Sequence, residues 1–280
     1  MSRQRLELNL QDQCKRLQEY LGAANGPGVS APSTRALSLS RGLPVSHATT
    51  QRRFAKACQD GNLFSATVFA QRANRQISPT AIDVRMGTAN CVFLYAAPFR
   101  YPNTACGFLF SPSIEEERRD DGAASPFDSG GLVEHVSFPT AFQSPKEFLL
   151  THEFPLPDHR DYLGLTMDNL FQRPEDYVEG TPPQLAGCLG LAGGDSRMWT
   201  HEVRLPERVP LRGRHLQAVF AHRSLVAANR QIEELFAWCA NESVDRVAFD
   251  GPGDGDFEVL RRECISYLSG ASGGAGLNNL

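Results

Sequence analysis

The sequence has no CxxC pair and no regular cysteine spacing; its seven cysteines stand singly at positions 14, 58, 91, 106, 188, 239 and 264. An odd, scattered set argues against a disulfide framework and for reduced thiols in a cytoplasmic setting. Histidines are equally dispersed. His152-Glu153 is followed by leucine at 156, so the His-Glu-x-x-His zinc pattern is missing and no metal is expected. No apolar run approaches the roughly 18 residues of a membrane helix, and Met1 to Leu10 holds no continuous apolar segment of a secretion signal. Gly187 to Asp195 is glycine-rich but lacks the GxGxxG order, and Asp128-Ser129 near His135 lacks the strand-nucleophile-helix setting of G-x-S-x-G. Nor is there an excess of positive charge: the net charge is -4 and the pI about 6.0, where a protein living on duplex DNA is usually basic.

The 280 residues have 41% hydrophobic and 21% charged content and a mean hydropathy of -0.32, ordinary for a soluble chain that can bury a core. Arginines cluster at 52–53, at 72 and 75, and at 204, 208, 212 and 214. Residues 3–21 read as an amphipathic helix, with Leu6, Leu10, Leu17 and Leu21 on one stripe, and the turn-rich segment 22–32 ends it. We expect an N-terminal helix and linker over 1–35, one domain over 36–268 with an insertion at 111–195, and a disordered tail over 269–280.

The segment Met198 to Pro210 alternates as a strand: Trp199, His201, Val203 and Leu205 share one face, Thr200, Glu202 and Arg204 the other. With the Trp199/Val203/Leu205 face in the core, Glu202 is expected on the opposite face, and Pro206 and Pro210 close the strand. About 150 residues earlier, Gly42 to Ser65 reads as a strand ending at His47, an N-cap at Thr49 or Thr50, a helix burying Phe54, Ala57 and Cys58, and Gly61 as its C-terminal residue. Leu63-Phe64 then re-enters the core. Between the two segments, Asn90 to Pro98 is the strongest strand and Cys106 to Phe110 a second one. The run 115–121 reads as a solvated turn or helix end. The Asp128-Ser-Gly-Gly131 stretch reads as a plain turn. Pro145 starts a helix at its first position. Later elements are a strand at 216–220, one amphipathic helix at 227–239, a strand at 244–249 and a closing helix at 257–268.

Strand, His47-x-Thr49, short helix, Gly61, then Leu63-x-Ser65 resembles the opening of the ADP-ribosyltransferase superfamily. The Glu202-Val-Arg-Leu-Pro-Glu-Arg-Val-Pro210 segment resembles the catalytic-glutamate strand of its DarT-like branch, which modifies nucleic acid and includes toxins and phage-defence effectors. The turn after the helix is one residue longer than the family spacing. The resemblance covers 43–65, 90–97 and 199–210. It implies an α+β fold of split antiparallel sheets flanked by helices, and NAD as the substrate. It also implies Glu202 as the catalytic carboxylate and Tyr95, or Phe93, as the aromatic stacked on nicotinamide. His47 and Thr49 would hold the adenine-side ribose, Arg52 or Arg53 would pair with the diphosphate, and Phe64 and Ser65 would complete the NAD site. Residue 200 is threonine, so the Gln-x-Glu or Glu-x-Glu pair of arginine-modifying members is missing, which favours DNA, RNA or another acceptor.

These expectations leave distinct functions open. One is a mono-ADP-ribosyltransferase in a toxin or antiphage role, acting on nucleic acid or on a protein acceptor. An NAD glycohydrolase on the same fold is another. A third is a non-catalytic module that recruits an antitoxin or other partner through the 3–21 helix. A hydrolase built from Asp128, Ser129 and His135 would need those three to converge.

Overall fold

The computed structural model describes residues 31–72, 81–96, 98–100, 104–130, 144–181, 199–250 and 257–270. The expected helix at 3–21, its linker to residue 30, His135 and the tail beyond 270 lie outside them. Chain order runs α1 (Thr34–Gly42), β1 (Val45–Thr49), α2 (Gln51–Asp60), β2 (Asn62–Phe64), α3 (Ala66–Arg72), α4 (Ala81–Met86), β3 (Cys91–Ala96) and β4 (Cys106–Phe110). Next come α5 (Ser113–Glu117), β5 (Ala123–Ser125), α6 (Pro145–His152), β6 (Phe154–Pro155), α7 (Leu156–Leu170) and α8 (Pro174–Glu179). The last part holds β7 (Glu202–Pro206), β8 (Arg208–Pro210), β9 (Leu216–His222), α9 (Arg223–Ala228), α10 (Arg230–Asn241), β10 (Asp245–Phe249) and α11 (Phe257–Leu268).

Local chemistry sets most of these boundaries. The Ser33 hydroxyl accepts the Ala36 amide and starts α1 before the first core leucine. Thr50 takes the N-cap backbone position of α2, and Gly61, at φ 65, ends that helix by donating to the Ala57 and Cys58 carbonyls. Ser144 caps α6 ahead of Pro145. The helix expected at 227–239 is instead two helices. Asn229 sits between them in an extended conformation, and its side chain accepts the Gln231 and Ile232 amides.

Eight strands form one sheet in the order β10-β9-β4-β1-β3-β7-β5-β6, and β2 and β8 form a separate antiparallel pair. Among the described residues only β10 and β9 run parallel. The large sheet is joined at its centre by two residue pairs, Val45–Ala96 and Ser46–Tyr95. Beyond them β1 follows β4 through His47, Ala48 and Thr49, while β3 follows β7 from Tyr95–Glu202 down to Cys91–Pro206. The sheet is therefore split into a β10-β9-β4-β1 half and a β3-β7-β5-β6 half. The segment expected as an insertion contributes to this frame, because β5 pairs directly with β7.

On the first half, Phe54 of α2 stacks on Phe108 at 4.6 Å, and Phe99 and Tyr267 meet the Phe220 ring edge-on. On the second half, Phe154 packs against Tyr162 and His159. The acidic run 115–121 departs from a solvated turn at its first residue. Glu115 is buried, paired with His159 at 2.7 Å and with Arg160. Among the described residues no helix is long and apolar enough to cross a membrane.

Candidate active site

Cross-strand partners share a face of a sheet, so the register builds a row: Ser46 opposite Tyr95, Tyr95 opposite Glu202, Glu202 opposite Ser125. This row crosses the split at its joined end. Phe93, two residues along, stands opposite Arg204. The strand begins at Glu202 rather than at Trp199, and its partner β5 brings a loop down onto that face. Glu202 is thus 0% exposed, correcting the expectation of an open face.

What covers Glu202 is the Asp128-Ser129 segment, where Ser129 and Gly130 are helical instead of forming the expected plain turn. The Ser129 hydroxyl donates to Oε1 at 2.6 Å and its amide to Oε2 at 3.2 Å. Arg204 Nε lies 3.5 Å from Oε1, and Arg204 is anchored through Nη2 on Glu153 at 2.9 Å. Burial and the neighbouring Asp128 charge push the Glu202 carboxyl up to about 8, against the opposing pull of Arg204 and the two Ser129 donors. In this closed arrangement the acid form is favoured at neutral pH.

His47 stands where β1 leaves β3. Its Nδ1 lies 2.9 Å from the Phe93 carbonyl. A carbonyl only accepts, so Nδ1 carries the proton and Nε2 keeps its lone pair. Burial lowers the His47 pKa, and nearby Arg53 lowers it further, so the ring is neutral. His47 therefore ties the two half-sheets across their split.

The other expected site residues are placed unevenly. Thr49 is buried at the end of β1, and Arg52 and Arg53 are exposed on the first turn of α2. Phe64 is half-buried, with the Arg72 guanidinium 4.5 Å over its ring. Ser65 is buried and engaged locally. Its hydroxyl donates to Asn90 and accepts the Val68 amide, and its own amide donates to the Glu207 carbonyl. Glu207 has φ 64, and this kink separates β7 from β8.

Sequence reasoning missed Ser46, Ser125 and the burial of Arg204, and it named Asp128 and Ser129 only as a plain turn or part of a hydrolase triad, not as the cover of Glu202. Arg204 was the most legible, since i+2 spacing puts it on the Glu202 face. The arginine run at 204–214 is divided in the structure: Arg204 is buried, while Arg208, Arg212 and Arg214 are exposed. Behind the site, His201 bonds Thr166 at 2.9 Å and stacks on His159, and burial holds its pKa well below the usual range. Among the described residues no His/Cys/Asp/Glu group is placed to hold a metal.

No protein-family profile and no curated protein matches the sequence. Its fold resembles that of DarT. Thermosipho africanus DarTG, solved with ADP-ribose, aligns with a TM-score of 0.41 and 11% identity over 74% of this chain and 50% of that one. Thermus sp. 2.9 DarT in complex with ADP-ribosylated ssDNA aligns with a TM-score of 0.40 and 11% identity, over 74% of this chain and 94% of that one. The same protein with NAD+ aligns with a TM-score of 0.40 and 12% identity, over 73% and 94%. This chain spans about half the length of the Thermosipho africanus chain.

Proposed function

We propose that this chain breaks the nicotinamide–ribose bond of NAD and transfers ADP-ribose to a macromolecular acceptor, with nucleic acid as the acceptor class and a toxin or antiphage role. The observation that carries the reading is the register pair Tyr95–Glu202 at the joined end of a split sheet, with a neutral His47 across the split. As the bond breaks, nicotinamide leaves with the electron pair and positive charge builds on the ribose. Glu202 as carboxylate stabilises that charge and steers the acceptor, whose proton passes to a carboxylate as the new bond to the ribose forms. Tyr95 stacks on nicotinamide. His47, through Nε2, and Thr49 hold the adenine-side ribose. Arg52 or Arg53 pairs with the diphosphate, and Phe64, Phe93 and Ser65 complete the walls.

Since Ser129 covers Glu202 and the carboxyl favours its acid form, the reading requires the 128–129 segment to give way when NAD enters. The cationic nicotinamide ring then favours ionisation of Glu202. The full burial of Glu202 also favours a second reading, a non-catalytic module on this fold.

The similar Thermus structures contain NAD+ and ADP-ribosylated ssDNA, so single-stranded DNA is the first acceptor to test. Purified protein is incubated with labelled NAD and single-stranded DNA, duplex DNA, RNA or a lysate, following transfer and free nicotinamide. Label on nucleic acid that disappears in Glu202→Gln supports the transferase. Nicotinamide release without transfer identifies a glycohydrolase, and no turnover with any acceptor leaves the module.

A further inference from the structure

We infer that Arg100 and Arg261 form a binding site for a phosphate group, separate from the row around Glu202. Arg100 follows β3 and is 5% exposed. Its Nη2 donates to the Tyr177 carbonyl at 2.6 Å, while its Nε and Nη1 have no hydrogen-bond partner among the described residues. Arg261, on α11, reaches the Glu179 carbonyl at 3.5 Å and the exposed Glu258 carboxylate at 3.7 Å, and its Nε also has no hydrogen-bond partner there. The two guanidinium tips converge on Gly180. A Cβ at that position would lie 2.3 Å from Arg100 Nη1 and 2.1 Å from Arg261 Nη2. The positive φ of 71 favours glycine there, and the missing Cβ lets both tips come close to the backbone.

Among the described residues no carboxylate is paired with Arg100. The acidic groups whose charge would act on it are the Tyr177 hydroxyl and the Cys264 thiol, each pushed up to about 12 by burial and therefore neutral. Burial and the second arginine bring Arg100 down to about 10, so it stays cationic at neutral pH. A buried cation lacking a counter-charge is strongly unfavourable, and a second cation beside it adds to the cost. The carbonyls at the end of α8 take one donor from each arginine, and Nε and Nη1 of Arg100 and Nε of Arg261 are left without a hydrogen-bond partner among the described residues. Two guanidinium forks with free N–H groups match a tetrahedral oxyanion carrying up to two negative charges. Arg261, 25% exposed at its side chain, leaves a way in from solvent, so the rest of the ligand can remain outside.

The site is braced to the strands of the candidate active site. Tyr177, whose carbonyl receives Arg100, places its hydroxyl between the Ala96 carbonyl and the His201 amide, each at 3.1 Å. Ala96 and His201 adjoin Tyr95 and Glu202 in the chain. The inference holds whether or not the site at Glu202 turns over NAD.

The phosphate can come from a free anion or from the backbone of a single-stranded nucleic acid. Inorganic phosphate is titrated against chloride at constant ionic strength, following the melting midpoint of wild type, Arg261→Gln and Arg100→Met. A short single-stranded oligonucleotide is titrated in parallel by fluorescence anisotropy. Expected are a saturable phosphate-dependent rise in wild type, its loss in Arg261→Gln, and oligonucleotide binding about tenfold weaker in that variant. A phosphate effect with unchanged oligonucleotide affinity assigns the site to a free anion. Equal midpoints in phosphate and chloride for wild type, or an undiminished phosphate rise in Arg261→Gln, overturn it. Arg261→Gln keeps the test valid if Arg100→Met does not fold.

Discussion

The two halves of the split sheet are built from different chemistry. The β10-β9-β4-β1 half is covered by hydrocarbon: all five β4 residues are buried, and Phe54, Phe99 and Tyr267 pack on the Phe108 and Phe220 rings. The β3-β7-β5-β6 half buries Glu202, Arg204, Ser125, Asp128 and Ser129 around one face, and Glu115, His159 and His201 elsewhere. Polar burial on this scale is destabilising unless each group is paired. The first half therefore rests on hydrocarbon packing, and the second on the pairing of its buried polar groups.

The comparison breaks first at Phe54. Removing its ring leaves a cavity against Phe108, and Phe54→Ala is expected to cost about 3–5 kcal/mol in urea unfolding. Turnover per folded molecule should stay near wild type. Glu202→Gln is the converse. It keeps the volume and a hydrogen-bonding group, so folding should survive, while turnover of NAD falls by roughly 10²–10³. A Glu202→Gln protein that retains full activity would remove Glu202 from the chemistry.

Two buried carboxylates of the second half sharpen the comparison through pH. Glu202 is raised to about 8 from an ordinary 4.5, so the folded state holds a proton that the unfolded chain releases. Its contribution is complete below about 4.5 and is lost as pH rises through about 8. Glu115 runs the other way. Burial alone would raise it, but Arg160 and His159 hold it below its usual value. Its contribution is present above the ordinary carboxylate pKa and is lost as pH falls through the depressed one. Melting temperatures across pH should fall on both sides, with the alkaline fall flattened in Glu202→Gln and the acid fall flattened in Glu115→Gln. An unchanged alkaline limb in Glu202→Gln would contradict the assignment.

The hydrocarbon half was the more legible in the sequence, because periodic apolar residues carry their own signal. The Phe54/Ala57/Cys58 stripe, Gly61, the β4 run and the 257–268 helix needed only local spacing. The polar half resisted because its burial is decided by distant partners. Nothing near Glu115 announces His159 and Arg160, and β5 and β6 are too short to register as strands. At the candidate site, strand spacing marks Glu202 and Arg204 as sharing a face. That this face is closed depends on Ser129, 73 residues away along the chain.

The smallest expected effect tests that closure directly. Ser129 donates twice to Glu202, and both bonds stabilise the ionised carboxylate against the burial that raises it. Ser129→Ala removes the 2.6 Å hydroxyl bond and keeps the amide. One charge-assisted hydrogen bond is worth about 1.5–3 kcal/mol, part of which water recovers once the segment opens. The Glu202 pKa should therefore rise further, and the ascending limb of kcat/KM against pH should move to higher pH. Activity at neutral pH then drops by about tenfold or less, while the high-pH plateau is kept. A purely structural role for Ser129 predicts a uniform drop at every pH, and a segment that mainly obstructs NAD predicts a lower KM with no shift of the limb. The pH profile of this one variant separates a Ser129 that tunes Glu202 from one that merely covers it.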